Sequence, residues 1–179
     1  MSRIVAGALR GRRLEMPRGD ATRPTSDKVR QAVFNVLGQF FEGGVVLDLY
    51  AGSGALALEA LSRGCERAVC VDADRDAAET VRRNASALGL SERVEVRRGR
   101  VEDVLPALPE NAFALVFVDP PYAGGPGAAL PGAGRCVVPG GRVVAEHDAK
   151  HPPPDEAGPL RLVDRRKFGG TGISIYAKE

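Results

Sequence analysis

A carboxylate, two prolines and a tyrosine stand together at Asp119-Pro120-Pro121-Tyr122, directly after the apolar run 114–118. That run has the length and composition of a buried strand, so the four residues lie where a strand gives way to a loop. Two successive prolines remove two backbone donors, which leaves the nearby carbonyls to face a ligand. The carboxylate adds acceptors and the tyrosine a flat face. Together they could hold a planar heterocycle by its amino group; the alternative is an ordinary strand end with a Pro-Pro turn.

A second stretch that could bind a ligand is Asp48-Leu49-Tyr50-Ala51-Gly52-Ser53-Gly54, a Gly-rich loop between a predicted strand and a predicted helix. Glycine lets a ligand approach the backbone closely, and the helix N-terminus behind it favours a negative group. Asp72 ends the next predicted strand, where a carboxylate can accept hydrogen bonds from both hydroxyls of a ribose. The two features indicate a nucleotide-like cofactor.

A dinucleotide is the less favoured cofactor. Ala57 occupies the position of the third glycine, and Asp48 would repel a pyrophosphate, whereas it suits the cationic end of an amino-acid group. The tetrapeptide at Asp119 also has no role in hydride transfer. A nicotinamide enzyme is therefore the weakest of the readings that remain open.

The elements that must position these residues alternate along the chain. Strands are predicted at 45–50, 68–72, 94–97, 114–119 and 142–146. Helices are predicted at 55–63, 75–88 and 101–108, and a further helix, capped by Thr25 or Ser26, is predicted to run to about residue 41. This alternation predicts a mostly parallel sheet with helices on both faces. Short strands are expected at 3–7 and 12–16, and an edge hairpin at 160–166 and 172–177. Segment 123–141 could be a short helix or a mobile loop, and 151–158 is a Pro-rich linker.

Length and composition limit the class of protein. The 179 residues, 44% hydrophobic and 27% charged, fit one globular domain and exclude a disordered or membrane-embedded chain. Three scattered cysteines predict reduced thiols and a cytoplasmic location. His147 and His151 adjoin three prolines, so we expect no metal site.

Charge is unevenly distributed. Residues 1–41 carry eight basic and three acidic side chains, a net +5, whereas the remaining 138 residues carry −3. A basic end on a slightly acidic body favours a polyanionic partner over the alternative of an ordinary Arg-rich surface.

Over nearly its whole length the chain resembles the bacterial RsmD family of S-adenosylmethionine-dependent methyltransferases, which methylate the exocyclic N2 of one guanine in 16S ribosomal RNA. The resemblance rests on both motifs above and on three further blocks: Arg3-Ile4-Val5-Ala6-Gly7 with Gly11-Arg12, Arg23-Pro24-Thr25-Ser26-Asp27-Lys28-Val29-Arg30 with Phe34-Asn35, and Arg166-Lys167-Phe168-Gly169. The Gly-rich loop and the tetrapeptide occur in many methyltransferases, and the block from Arg23 to Arg30 is the more specific signal.

The resemblance implies a Rossmann-like class I methyltransferase: a mostly parallel seven-stranded sheet with a C-terminal antiparallel hairpin, helices on both faces and a small N-terminal β-hairpin extension. Residues 1–24 would form the basic extension and 25–179 the catalytic core of a single domain. The family usually carries a helix after the tetrapeptide, but the Gly and Pro residues of 124–132 argue against one here.

The resemblance also implies the roles of individual residues. Asp119, Pro120 and Tyr122 would be catalytic. S-Adenosyl-L-methionine would be held by Thr25, Asp48, Ala51, Gly52, Ser53, Gly54, Asp72, Ala73, Arg100 and Val101, where the family usually has a small polar residue in place of Arg100. RNA would be bound by Arg10, Arg12, Arg13, Arg23, Arg30, Arg166 and Lys167.

The expected partner is 16S rRNA in a folded small-subunit particle, bound by a monomer with no metal and no membrane contact. Two other functions stay open. The tetrapeptide fits any aromatic amine, so an adenine-N6 or cytosine-N4 methyltransferase on DNA or RNA is one alternative. A nucleic-acid-binding module without activity is the other.

Overall fold

A computed structural model of the chain describes residues 2–18, 26–121 and 124–179. The strands are, in chain order, β1 (Ser2–Arg3), β2 (Arg13–Leu14), β3 (Val45–Leu49), β4 (Arg67–Asp72), β5 (Val94–Arg98), β6 (Phe113–Val118), β7 (Val137–Asp148), β8 (Glu156–Ala157), β9 (Leu160–Phe168) and β10 (Thr171–Lys178). The helices are α1 (Asp27–Leu37), α2 (Ala55–Ser62), α3 (Arg75–Ala87), α4 (Val101–Val104) and α5 (Leu130–Cys136).

Eight of these strands form one sheet in the order β5-β4-β3-β6-β7-β10-β9-β8. Strands β3 to β7 are parallel, and β10 runs antiparallel to both of its neighbours. From β3 the chain first adds strands on one side and then, with β6, on the other. In such sheets a crevice opens at the carboxyl ends of the strands where the order reverses, here β3 and β6.

Alternate residues of the strands face two hydrophobic layers. Val46 of β3 packs with residues of α1, α2 and α3, while Leu47 and Leu49 pack on the other face with residues of α4 and α5. This confirms the predicted mostly parallel sheet with helices on both faces and an antiparallel C-terminal hairpin.

Helix α1 begins where the sequence predicts and ends earlier. The Ser26 hydroxyl caps it by accepting a hydrogen bond from the backbone N–H of Val29 at 3.2 Å. Gly38, with φ of 110°, adopts a backbone conformation that ordinary residues avoid and ends the helix at Leu37 rather than near residue 41.

Residues 124–141 contain more regular structure than their composition suggests, and the expectation that Gly and Pro residues prevent a helix here was wrong for α5. Pro131 lies in the first turn of α5, where a missing backbone donor costs nothing. A Cβ on Gly134 would come within 2.8 Å of Leu160, so this glycine allows close packing on β9. Strand β7 then starts five residues earlier than the predicted position 142. In the Pro-rich segment 151–158 the two-residue strand β8 adds an eighth strand to the predicted seven.

The N-terminal strands β1 and β2 are only two residues long but are firmly attached. The buried carboxylate of Glu59 on α2 accepts the backbone N–H groups of Val5 and Ala6 at 2.8 and 3.0 Å. Among the described residues, the helices are all too short or too polar to cross a membrane.

Candidate active site

A cavity of about 1000 Å³ opens at the carboxyl ends of β3, β4, β6 and β7. It brings together residues that lie far apart in the sequence. The predicted site residues that line it are Asp48, Ala51, Gly52, Ser53, Asp72, Ala73, Arg100, Val101, Asp119 and Pro120. Thr25 and Tyr122 lie outside the described residues.

The Gly-rich loop takes its shape from two left-handed glycines. Gly52 has φ of 58° and Gly54 has φ of 82°, and the N–H of Gly54 bonds the carbonyl of Ala51 at 2.8 Å. Gly54 does not line the cavity. It starts α2, and a Cβ on it would come within 3.2 Å of Val81, so its part is to form the turn and let α3 pack closely.

Asp48 lies near the end of β3, just ahead of the glycines, and is almost completely buried. One carboxylate oxygen accepts the backbone N–H of Ala57 at 3.2 Å. Burial raises the pKa of Asp48 well above its ordinary value; the bond from Ala57 acts in the opposite direction, and the nearby charge of Asp72 raises the pKa further. A cation bound in the cavity would stabilise the ionised carboxylate.

Asp72 connects the loops that follow β3 and β4. Its carboxylate accepts the backbone N–H of Gly52 and that of Asp74, each at 2.9 Å. A carboxylate has about four lone-pair sites, so Asp72 keeps acceptor capacity for a ligand in the cavity.

The charge of the cavity wall selects the kind of ligand. The described lining includes seven carboxylates and one guanidinium, that of Arg100: the acids are Asp48, Asp72, Asp74, Glu102, Asp119, Glu146 and Asp148. Such a wall attracts a cation and repels a pyrophosphate. Arg100 is directed toward its own neighbour, with Nε 3.3 Å from the Glu102 carboxylate.

The cavity also contains residues that sequence reasoning missed as site residues. Glu146, His147, Asp148 and Thr171 line the same cavity as Pro120 and Pro121. The sequence could have indicated Glu146, because it lies at the end of a predicted parallel strand, where ligands bind in sheets of this kind.

His147 is held in place by hydrogen bonds at both ring nitrogens. Its Nδ1 donates to the carbonyl of Asp148 at 2.8 Å, which leaves Nε2 to accept from the Ser174 hydroxyl at 2.7 Å. Burial lowers the pKa of this imidazole. Within the described ranges no group of three or more acidic, His or Cys side chains is arranged to hold a metal.

The predicted RNA-binding residues fall into separate places. Arg12 and Arg13 are exposed on the N-terminal extension, and Arg166 and Lys167 are exposed on the β9–β10 hairpin. Arg10 lies on a different, shallower groove that it lines with Phe40 and Phe41, near the amino end of β3. Arg23 lies outside the described residues.

Arg30 requires a correction, since the structure places it in the interior with no exposed surface. Its guanidinium pairs with Glu59 at 3.3 Å and with Asp27 at 2.8 Å, and it also donates to the carbonyl of Arg3. Arg63 donates to the same Glu59 carboxylate at 2.8 Å. Arg30 therefore joins α1 to α2 and the extension, and it cannot contact RNA directly.

The strand order, the antiparallel β10 between β7 and β9, and a cavity at the carboxyl ends of the parallel strands define a Rossmann-like class I methyltransferase. Residues 2–177 match the model of the family described as "Conserved hypothetical protein 95". The chain belongs to this family, which is the RsmD family.

Individual relatives agree with this assignment. The chain is 40% identical over 181 residues to YlbH of Bacillus subtilis, provisionally named an rRNA methyltransferase, with 98% of each chain covered. It is 37% identical over 124 residues to ribosomal RNA small subunit methyltransferase D of Escherichia coli, covering 69% of this chain and 61% of that protein. A solved Escherichia coli structure provisionally titled methyltransferase yhhF has a TM-score of 0.81 at 29% identity, covering 99% and 98% of the two chains.

Proposed function

We propose that this protein transfers a methyl group from S-adenosyl-L-methionine to the exocyclic N2 of a guanine in 16S rRNA of the small ribosomal subunit. Family membership and the names of the relatives support an S-adenosylmethionine-dependent rRNA methyltransferase. One observation carries the assignment to this cavity: acids suited to a cationic cofactor and the amino-binding pair Asp119 and Pro120 line the same space.

The acidic part of the cavity would hold the cofactor. Asp48 and the backbone of Gly52 and Ser53 would bind its cationic methionine part, and Asp72 its ribose. Val101 would meet the adenine through its backbone, beside Arg100. The roles of Thr25, Ala51, Gly54 and Ala73 follow from the same family resemblance.

The other part of the cavity would position the target amine. The cofactor supplies a methyl group activated by its positive sulfur. A guanine amino group is a weak nucleophile, because its lone pair is delocalised into the ring. Acceptors at Asp119 and at the Pro120 carbonyl would hold its two hydrogens and favour a pyramidal nitrogen. The new N–C bond would form as the bond between the methyl carbon and sulfur breaks, with its electron pair staying on the departing S-adenosylhomocysteine, and the nitrogen would lose one proton to water or to Asp119.

Positioning would supply most of the catalysis, up to about 7–11 kcal/mol of the barrier. Tyr122 would stack on the base. A base reaches such a cavity only when it is unpaired or flipped, which favours a loop or a distorted segment of folded RNA. The exposed Arg12, Arg13, Arg166 and Lys167 would contact its phosphates, together with Arg10 and Arg23. We propose a monomer that acts in the cytoplasm on folded small-subunit particles.

The test is methylation of small subunits from a strain that lacks the gene, with tritiated cofactor and the modified nucleoside identified by mass spectrometry. We expect N2-methylguanosine in 16S rRNA. N6-methyladenosine or N4-methylcytidine would instead establish the alternative amine targets. Absence of both transfer and cofactor binding at millimolar ligand would favour a binding module without activity.

A pair of variants tests the role of Asp119. Asp119→Ala should leave cofactor binding by calorimetry largely intact and abolish turnover. Glu110→Ala, an exposed acid ahead of the amino end of β6, is the matched control and should behave as wild type. Near-normal turnover by Asp119→Ala would refute the role assigned to this carboxylate.

A further inference from the structure

We infer that Glu146 makes the target pocket specific for guanine, by accepting the hydrogen on ring N1 beside the amino group that is methylated. This inference rests on the proposed function, because it concerns the base that the same cavity receives.

The sheet register places Glu146 beside Asp119. Val118 of β6 pairs with Ala145 of β7, so the next residues along these parallel strands, Asp119 and Glu146, are neighbours at the carboxyl ends. Adjacent strands lie roughly 4.8 Å apart. Both residues line the cavity, and Glu146 is half-buried. A planar base held by Asp119 therefore has a second carboxylate within reach of its edge.

The backbone at Glu146 is held by strand pairing, and Ala145 just before it pairs with Val118 of β6. β7 lies between β6 and β10, and Glu146 itself pairs with Ile173 of β10. A residue in the centre of a paired sheet holds its position better than one on a loop. Glu146 is thus placed to discriminate between bases by geometry.

Base chemistry shows which edge two neighbouring carboxylates would select. Guanine presents two adjacent donors, the amino group at N2 and the protonated ring nitrogen N1. Adenine and cytosine instead present an unprotonated ring nitrogen, with its lone pair, beside their amino group. A carboxylate that faces this nitrogen would be repelled and would lack a hydrogen-bond donor. Sites that hydrogen-bond a substrate group reject analogues that lack it far more strongly than apolar pockets do.

Residues paired across β7, β10 and β9 connect the pocket with the exposed basic hairpin formed by β9 and β10. Glu146 pairs with Ile173, and Ile173 pairs with Arg166 of β9. Two strand steps, about 10 Å, therefore separate the backbone at Glu146 from that at the exposed Arg166. A nucleotide whose base lies at Glu146 would have the exposed Arg166, which pairs with Asp164 at 3.3 Å, on the side where its phosphate could lie.

The experiment compares guanine with 2-aminopurine, which keeps the amino group but has an unprotonated acceptor at N1. Small subunits are assembled from 16S rRNA that carries one or the other base at the methylated position. For the wild-type protein we expect transfer to guanine at least about 10-fold faster in kcat/KM, the lower range for loss of a base-specific bond. Equal rates on the two substrates would overturn the inference.

Glu146→Gln should change this preference, because its amide can donate to the N1 acceptor of 2-aminopurine. We expect the guanine preference to fall by about 10-fold or more. Glu110→Gln is the control, since it converts an exposed carboxylate away from the cavity, and should keep the wild-type ratio. Calorimetry with S-adenosylhomocysteine verifies that each variant still binds cofactor. An unchanged ratio in Glu146→Gln would also overturn the inference.

Other outcomes separate this inference from the proposed function. If wild-type protein forms no N2-methylguanosine, the proposed function fails and this inference fails with it. If it methylates guanine but does not discriminate against 2-aminopurine, only the role of Glu146 fails. Should Glu146→Gln not fold, the wild-type comparison decides alone, and Glu146→Asp, which keeps the carboxylate, should keep the preference for guanine at a lower rate.

Discussion

The buried side-chain amide of Asn84 on α3 donates a hydrogen bond to the backbone carbonyl of Ser53 in the Gly-rich loop, over 2.9 Å. The same amide donates to the carbonyl of Glu15 at 3.0 Å, and its oxygen accepts the N–H of Glu15 at 2.8 Å. One side chain thus joins the candidate cofactor loop to the N-terminal extension.

Replacement of Asn84 by alanine should therefore affect both stability and cofactor binding. Three hydrogen bonds are lost, and we expect the free energy of unfolding to fall by about 2–4 kcal/mol. The affinity for S-adenosylhomocysteine should fall roughly 10-fold, because the loop loses a support. Urea unfolding and calorimetry measure the two effects. Ser86→Ala, an exposed change on the same helix, is the control. Lower stability with unchanged affinity would show that Asn84 serves the extension alone.

The buried Asp48 should make stability depend on pH. Because burial raises its pKa in the folded protein, the folded state retains a proton that the unfolded state loses above about pH 4. Its contribution to the free energy of unfolding is therefore favourable at low pH and declines as pH rises from about 4 through the raised pKa. Asp48→Asn should remove this dependence and be more stable than wild type at pH 7–8. Urea unfolding at a series of pH values measures this. If the free energy of unfolding changes with pH in the same way in both proteins, the prediction is contradicted.

Cofactor binding should show the opposite pH trend. A cationic ligand favours ionised Asp48, so its affinity should rise with pH over the interval in which the free protein loses the Asp48 proton. Calorimetry from pH 5 to 8 measures this trend. Asp48→Asn should bind more weakly at pH 8 and show a flatter profile; a profile as steep as that of wild type would assign the pH dependence to another group.

The buried position of Arg30 predicts a structural defect rather than an RNA-binding defect. Arg30→Met removes the partner of a fully buried Glu59 and should cost about 3–5 kcal/mol of the free energy of unfolding. The salt dependence of RNA binding by the folded variant should match that of wild type. Lys28→Met, an exposed change on the same helix, should change stability by less than about 0.5 kcal/mol. A flatter salt dependence in Arg30→Met would argue for a direct RNA contact after all.

The exposed hairpin cations should show the reverse pattern. In the double variant Arg166→Ala, Lys167→Ala we expect unchanged stability, weaker RNA binding and a log–log salt slope reduced by about 1 to 2. Arg82→Ala serves as the control, because Arg82 is an exposed cation that pairs with Glu79 on α3. If the slope falls by the same amount per charge removed in both variants, the effect reflects net charge and not the hairpin.

Much of the fold and of the candidate site is determined by local sequence. The apolar strand segments, the Ser26 cap and the Gly-rich turn depend on residues a few positions apart, so 45–50 and 114–119 were placed nearly to the residue. Asp48, Asp72 and Asp119 were recognised because each is at or near the end of such a strand. Parallel strands bring these ends to one edge, and that edge is the cavity.

Tertiary structure decided the features that depend on distant partners. Arg30 has the sequence context of a surface cation, and only the packing of α2, which supplies Glu59, makes it a buried ion pair. α5 forms in a Gly- and Pro-rich segment because Leu105 and Leu160 pack against its glycines. Glu146 enters the site through the register of β6 and β7. Periodicity and turn chemistry are short-range, whereas ion pairing and strand register are chosen among groups far apart in the chain, and only the folded structure brings those groups together.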